Sequence, residues 1–156
     1  MQPRHAGFAE KAQAIMAQAP FVQWLGIRLT RIEPGDCEAV LAIRPDHLQQ
    51  DGFVHAGVVA TLADHTAGAA AGTLVAADET ILSIEYKINL LRPAVGTVLR
   101  CRGVVLRQGR TISVAEAEVF AGTPEKLVAK ATVTLAVVSQ AGLASRQVGP
   151  SSEETR

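Results

Sequence analysis

The 156-residue chain is poor in aromatic residues and has no net charge at pH 7. One Trp, one Tyr and four Phe provide few rings on which bases could stack, and 15 basic side chains are balanced by 15 acidic ones. Proteins that bind nucleic acid usually present an excess of positive charge to the phosphates, often together with aromatic side chains. We therefore expect no nucleic-acid partner.

Long apolar runs and cysteine pairs are also missing. No run reaches the ~20 apolar residues of a membrane helix, and no basic segment followed by an apolar core marks a secretion signal. Cys37 and Cys101 lie far apart on apolar positions of strand-like segments, which favours buried thiols over a disulfide. His5, His47 and His65 lack metal-ligand spacing. We expect a cytoplasmic protein without a membrane segment or a bound metal.

The first part of the chain predicts a helix followed by a β-hairpin. In the N-terminal segment, residues 1–20, apolar residues recur at helical spacing from Phe8 to Ala19 and stop at Pro20, which indicates a short amphipathic helix with a structural role. Two strand-like segments, 26–33 and 36–44, flank the turn Pro34-Gly35.

A long apolar helix is predicted from about Ala56 to Ala76, directly after a polar loop at 45–54. Its small residues leave little side-chain bulk: Gly57, Ala60, Ala63, Ala67, Gly68, Ala71 and Gly72. Glycine in a helix costs up to about 1 kcal/mol relative to alanine, so the glycines indicate close packing against a sheet or a second helix. An ordinary alanine-rich core helix would share much of this pattern.

Four further strand-like segments are separated by turns short enough for antiparallel hairpins, at 80–90, 97–107, 111–121 and 126–138. The order of elements predicts a single α+β domain at 21–138, in which an antiparallel sheet wraps around the central helix. Residues 139–156 have almost no bulky apolar side chains, and we expect them to form a disordered tail.

Asp64 is the one carboxylate of the predicted central helix. A buried, unpaired carboxylate costs several kcal/mol, so such a residue is usually paired, protonated or used in chemistry. One interpretation is structural, with Asp64 bonded to a nearby hydroxyl or amide that orders the helix. The other is catalytic.

The surroundings of this carboxylate resemble the hotdog-fold acyl-CoA thioesterases, specifically the PaaI-like branch of phenylacetate pathways. Asp64 lies nine residues after His55, and the histidine and catalytic acid of that family have the same spacing. Gln49 stands six residues before the histidine, where the family has a hydrogen-bonding Asn or Gln, and residues 83–94 match a strand motif ending in Arg-Pro-Ala. The resemblance extends over about residues 20–138.

The resemblance implies a hotdog fold and hydrolysis of acyl-CoA to a free acid and CoA, with no cofactor besides the coenzyme A of the substrate. It makes Asp64 a general base, or a nucleophile that forms a transient anhydride, and leaves the choice between these roles open. The family uses the backbone N–H at the position of Ala56, where it usually has glycine. Alanine supplies the same donor if its backbone angles accept a side chain.

The chemistry of the residues agrees with that assignment. The helix N-terminus at Ala56 and Gly57 offers N–H groups and a partial positive charge, both suited to a carbonyl oxygen that gains negative charge. Gln49 could contact the same oxygen or the attacking water.

Geometry predicts that the site needs two subunits. Ala56 and Asp64 are eight residues apart, which places them ~12 Å apart along one helix. They cannot meet at one carbonyl within one chain, so we expect a homodimer in which one subunit supplies Gln49 and Ala56 and its partner supplies Asp64. The resemblance implies the same arrangement, often as a dimer of dimers.

Further residues are weaker candidates. Ser83 matches a serine that some relatives place near the catalytic acid, although a lone strand serine is more often structural. We expect His55 to position the loop through ring hydrogen bonds. Arg92, Arg107 and Arg110 could hold the CoA phosphates, although arginines in turns are usually just solvated.

Three other classes of function compete with hydrolysis of acyl-CoA. A hotdog hydratase would have its Asp five positions before the His, whereas Asp51 precedes His55 by four, and the dehydratase His motif is missing. A serine hydrolase is disfavoured because neither Ser83 nor Ser113 lies in Gly-x-Ser-x-Gly. A non-catalytic acyl-CoA sensor on the same fold stays open, although Asp64 argues against it.

Overall fold

The structure is a computed structural model that describes residues 1–144. In chain order the α-helices and strands are α1 (Phe8–Gln18), α2 (Pro20–Leu25), β1 (Ile27–Glu33), β2 (Asp36–Ala42), α3 (Ala56–Gly72), β3 (Glu79–Leu90), β4 (Val98–Gln108), β5 (Ile112–Ala121), β6 (Lys126–Ser139) and α4 (Gln140–Ala144), and a 3-10 turn spans Pro45–His47. The six strands form one antiparallel sheet in the order β1-β2-β4-β5-β6-β3.

Helix α3 is the centre of the fold and contacts all six strands. Its packed face carries small residues and leucine, whereas the sheet presents every second side chain to it. Along β5 the buried positions alternate from Ser113 to Ala121. This pattern confirms the predicted α+β class and the sheet that wraps around a central helix.

Both cysteines lie on the buried face of the sheet, as predicted. Cys37 in β2 and Cys101 in β4 are free thiols with no exposed surface. Burial raises the pKa of each thiol to about 12. The thiols are therefore protonated and shielded at neutral pH.

The N-terminal helix of the predicted 1–20 segment is present, but a second helix was missed. Pro20 ends α1 and also begins α2, where its absent N–H is no loss because the first turn has no intrahelical acceptor for it. Gly26 then closes α2 with a left-handed backbone at φ 78°. A six-residue helix next to another helix leaves little periodicity for the sequence to show.

The central helix ends at Gly72, four residues before the predicted end at Ala76. Thr73 accounts for the difference, because its Oγ1 donates to the Ala70 carbonyl at 2.6 Å and accepts the Gly35 N–H at 2.8 Å. This contact joins the end of α3 to the β1–β2 turn. Leu74 and Val75 continue the apolar run but pack into the core outside the helix, so the sequence pattern does not show the break.

Part of the expected disordered tail is structured. Ser139 pairs with Glu79 as the last residue of β6, and the Gln140 N–H donates to the Asp78 carbonyl at 2.8 Å at the start of α4. The edge strand β3 therefore orders the chain beyond residue 138, although the composition there is polar. Residues 145–156 of the expected tail lie outside the described residues.

Close packing between helix and sheet depends on a glycine of the sheet. A Cβ on Gly103 of β4 would lie 2.7 Å from the Thr66 carbonyl oxygen of α3, inside any permitted contact. At Gly68 and Gly72 a Cβ would meet nothing within 4 Å. The expectation that the glycines of α3 serve close packing is therefore wrong for these two positions.

We expect Gly103→Ala to destabilise the protein by about 1–3 kcal/mol, because the added methyl group pushes backbone against backbone. Gly68→Ala is the matched control, and it should be neutral or stabilising by up to about 1 kcal/mol because alanine is the better helix former. Urea unfolding at one protein concentration measures both changes. Equal stability of Gly103→Ala and the wild type would contradict the close approach.

Candidate active site

Asp64 is half-buried on α3 and accepts a hydrogen bond from Ser83 of the edge strand β3. The Ser83 Oγ lies 2.7 Å from Asp64 Oδ1, and Oδ2 has no hydrogen-bond partner within residues 1–144. A β-bulge follows Ser83, because the register of β3 on β6 shifts between Ser83 and Glu85. Bulges re-aim side chains and are common beside active sites. The serine thus fixes one carboxylate oxygen and leaves the other available.

Asp64 and Ser83 both line a cavity between α1, α3 and β3, which we call the α1–α3 cavity. Its walls are mainly apolar. The N-terminal helix, to which the sequence assigned only a structural role, contributes Ala12, Ile15 and Met16 to these walls. The spacing of apolar residues on α1 could not reveal which element its buried face covers.

His65 also lines this cavity, although its spacing from the other histidines and the cysteines indicates no role for it. Burial lowers the pKa of its imidazole, and the charge of Asp64 opposes that shift only in part. The ring is therefore neutral at pH 7. Neighbouring positions on a helix point about 100° apart, so helical spacing does not indicate that Asp64 and His65 border one cavity.

The start of α3 is capped by His55. Its Nδ1 accepts the Gly57 N–H at 2.9 Å, and its own backbone N–H donates to the His47 carbonyl at 2.8 Å. The ring of His55 thus caps the helix, and its backbone N–H ties the helix start to the preceding loop.

This cap also decides which backbone donors of the helix are free. The Gly57 N–H is taken by His55, so the expectation that Gly57 offers an unpaired donor to substrate is wrong. The Ala56 N–H has no hydrogen-bond acceptor within residues 1–144. Ala56 has an ordinary negative φ, so the backbone at this position accepts a side chain.

Gln49 lies in the loop before α3, and its side chain is oriented by the loop itself. The Asp51 N–H donates to Gln49 Oε1, and the Gln49 N–H donates to the Phe53 carbonyl at 2.8 Å. The two N–H bonds of Nε2 have no acceptor in the described chain. Gln49 and Ala56 line a second hollow, the loop cavity, together with Arg92.

The three predicted arginines do not form one group. Arg92 borders the loop cavity, where its guanidinium donates to the Leu127 carbonyl at 2.7 Å. Arg107 and Arg110 are exposed near the β4–β5 turn, at the end of the sheet where Ile112 pairs with Ala136. Arg92 lies at the opposite end of the sheet. It comes two residues after Leu90, the last residue of β3, which pairs with Ala129 of β6.

Within one subunit the candidate residues therefore fall into two sets. Asp64 and Ser83 line the α1–α3 cavity, Gln49 and Ala56 line the loop cavity, and no residue borders both. Positions eight residues apart on one helix lie ~12 Å apart along its axis, which accounts for Ala56 and Asp64 bordering different cavities.

The edge of the sheet beside Ser83 is apolar and uncovered by residues 1–144. Strand β3 has β6 on one side and no strand on the other. Leu82, Ile84, Tyr86 and Leu90 are 45–55% exposed along it. Long apolar edge strands usually pair with another strand or chain.

Residues 1–144 contain no group of three or more His, Cys, Asp or Glu side chains placed to hold a metal ion. Among the helices of the same residues, none has the length and hydropathy to cross a membrane.

Comparison with known proteins defines the class of the protein. Residues 51–128 match the Thioesterase superfamily, half of the chain. A Saccharolobus solfataricus protein whose name describes an esterase is 31% identical over 109 residues, which are 70% of this chain and 76% of that protein. The chain belongs to the thioesterase superfamily.

Further relatives fit this assignment. The 1,4-dihydroxy-2-naphthoyl-CoA hydrolase of Listeria monocytogenes is 26% identical over 113 residues, which are 72% of this chain and 91% of that enzyme. A thioesterase family protein from Silicibacter pomeroyi superposes with a TM-score of 0.83 at 35% identity, covering 85% of this chain and 99% of that one.

The PaaI protein of the E. coli phenylacetic acid degradation operon superposes with a TM-score of 0.78 at 20% identity, covering 85% of this chain and 94% of that one. This likeness confirms the hotdog fold and, at the level of the fold, the resemblance to PaaI.

The cap predicts how His55 variants behave. We expect His55→Ala to lower the free energy of unfolding by about 0.5–2 kcal/mol, because the Gly57 N–H loses its acceptor. His55→Asn should retain most of the stability, because the Asn side-chain oxygen can accept the same N–H. Urea unfolding of both variants checks the expectation, and equal losses for Ala and Asn would contradict the capping role.

Proposed function

We propose that the protein hydrolyses acyl-CoA thioesters to a free carboxylic acid and CoA. The observation that carries the proposal is Asp64, held by Ser83 with one oxygen free at an apolar cavity. Membership of the thioesterase superfamily supports the reaction class. A relative named as a CoA hydrolase supports coenzyme A as the thiol of the substrate.

In this mechanism the thioester carbonyl oxygen binds between the Ala56 N–H and Gln49 Nε2. Both donors are unused by the described chain, and the helix N-terminus adds a partial positive charge. Donors fixed in place before reaction stabilise the negative charge that develops on this oxygen in the transition state. Arg92 lines the same hollow, and in this mechanism it contacts the CoA portion.

Asp64 acts at the carbonyl carbon. As a general base it takes a proton from water while the water oxygen attacks the carbon. The tetrahedral intermediate then collapses, the C–S bond breaks, and the proton passes to the sulfur of CoA. As a nucleophile, Asp64 would instead displace CoA to form an anhydride that water hydrolyses. Ser83 orients the carboxylate in either case.

We further infer that each site combines two subunits of a homodimer, which can assemble further into a tetramer. The separate cavities of one chain support this inference, because neither contains both the carbonyl donors and the carboxylate. The apolar edge of β3 supports a contact there about a two-fold axis. Such pairing would bring Asp64 of one subunit toward the start of the partner's α3.

Asp64→Asn should reduce kcat by roughly 100- to 10,000-fold, because the amide cannot accept the proton. The substitution keeps an oxygen for the Ser83 hydroxyl, so the unfolding midpoint should stay unchanged. The measurement is CoA release from short, medium and long-chain and aryl-CoA substrates, detected with a thiol reagent. Cys37 and Cys101 contribute little background because both are buried.

Ser83→Ala should cause a smaller loss of kcat, because it removes a positioning contact only. Equal rates for the wild type and Asp64→Asn would remove Asp64 from the mechanism. Tight binding of acyl-CoA by the wild type without any thiol release would favour the sensor function instead.

Mixed dimers test the shared site. Ala56→Pro removes the carbonyl donor at a helix position that favours proline, and His55 already has the extended backbone that a residue before proline requires, with ψ at 137°. Ala56→Pro and Asp64→Asn should each be inactive alone. After subunit exchange, activity should return to about a quarter of the wild-type value, because half of the dimers are mixed and each has one intact site.

Ala56→Gly is the control for this experiment, since it keeps the N–H and should stay active. Exchange of subunits is verified with two differently tagged chains. Absence of recovery after verified exchange would contradict the two-subunit site.

A further inference from the structure

The α1–α3 cavity follows one face of the central helix away from the candidate carboxylate. Asp64, Gly68 and Gly72 are spaced four residues apart, so they lie above one another on α3. Gly68 is ~6 Å and Gly72 ~12 Å from Asp64 along the helix axis. The cavity thus begins at the reacting group and extends along the helix.

Gly68 and Gly72 leave open space along the side of the cavity formed by α3. A Cβ at either position would meet no atom within 4 Å, so neither glycine is required by packing or by a positive φ. Glycine is a poor helix former, and alanine would fit both positions. Their effect on the structure is to leave space beside Asp64.

The opposite wall of the cavity comes from α1. Ala12 and Met16 are buried there, and Ile15 borders the same space while remaining partly exposed. The N-terminal helix is therefore positioned to limit the width of whatever enters.

The cavity offers no free positive charge to a ligand. Among its lining residues Lys11 has the one ammonium group, and its Nζ donates to the carbonyls of Ala76 at 2.8 Å, Ala77 at 3.0 Å and Glu79 at 2.5 Å. An ammonium group has three donors, so all are used. Burial keeps His65 neutral, and Asp64 is an acid. An anionic group would be repelled and unpaired here.

We propose that the α1–α3 cavity holds the acyl group of the thioester, that this group ends without a charge, and that Gly68 and Gly72 determine how long it can be. The inference rests on the proposed hydrolysis at Asp64. It identifies α1 as a specificity element and the substrates as uncharged acyl thioesters rather than dicarboxylic ones.

The test compares kcat/KM over acetyl-, butanoyl-, octanoyl- and dodecanoyl-CoA. Gly72→Leu, two turns from Asp64, should reduce kcat/KM for the long chains more than for the short ones. Gly68→Leu, one turn from Asp64, should reduce kcat/KM for shorter acyl chains than Gly72→Leu does. Each methylene group that the cavity excludes should lower kcat/KM by about tenfold or more. Gly68→Ala and Gly72→Ala add a single methyl group and should give the same order of effects, smaller in size, in a stable helix.

Two substitutions on α1, one inside the cavity and one outside it, test the contribution of this helix to the cavity wall. Ala12→Leu fills the cavity from that side and should narrow the substrate range. Ala14→Leu places the same side chain on the exposed face of α1, outside the cavity, and should leave the chain-length profile unchanged.

The charge of the acyl end is tested with pentanoyl-CoA and glutaryl-CoA, which have the same chain length. We expect at least about tenfold higher kcat/KM for pentanoyl-CoA. Equal values would overturn the uncharged acyl end. Identical chain-length profiles for the wild type and all glycine variants would overturn the cavity assignment while leaving the proposed hydrolysis intact.

Binding of alkyl thioethers of CoA separates the two proposals, because these analogues cannot be hydrolysed. Their affinities, measured by calorimetry, should depend on chain length and fall in Gly72→Leu for long chains first. If the wild type shows this binding but releases CoA from no acyl-CoA, the proposed hydrolysis fails and the cavity assignment stands.

Discussion

The contact between α3 and β4 determines how the rest of the molecule is arranged. Backbone approaches backbone where Gly103 lies against Thr66, a distance that no side chain would permit. This contact draws the helix into the sheet, so that α3 meets all six strands. With the helix axis fixed, its N-terminus opens toward the loop that contains Gln49, and its middle lies beside the edge strand β3. The helix position thus fixes both sets of candidate residues.

A rigid helix also separates the two chemical requirements of thioester hydrolysis. The free N–H is necessarily at its first turn, because later N–H groups bond within the helix. A carboxylate on the same helix that reaches an adjoining cavity lies two turns further on. Within one subunit the free N–H and the carboxylate border different cavities. A two-fold axis between two subunits would place the N–H of one subunit near the carboxylate of its partner. The apolar edge of β3 marks a surface where such an axis could pass. In the proposed mechanism, formation of a dimer would complete the active site and also cover this apolar surface.

Local signals predicted much of this arrangement. Alternating apolar residues identified the six strands, and apolar strand positions identified Cys37 and Cys101 as buried. Features that depend on distant contacts were missed, because no local pattern encodes them. Thr73 ends α3 through a bond to the β1–β2 turn, and Ser139 is ordered by its pairing with β3. The role of α1 as a cavity wall and the occupied N–H of Gly57 depend in the same way on tertiary structure.

The glycines show why one residue type needs two explanations. Gly103 is required by contact, since a methyl group there would strike the backbone of α3. Gly68 and Gly72 are required by no contact, yet each weakens the helix relative to alanine. Both glycines border the cavity that contains Asp64, so their missing side chains leave room beside a carboxylate that Ser83 positions. The reduced stability of the helix accompanies this open space. Proteins commonly retain such locally unfavourable residues where function needs space or motion. Sequence propensity alone treats all three glycines alike, and only the surroundings of each one distinguish packing from access.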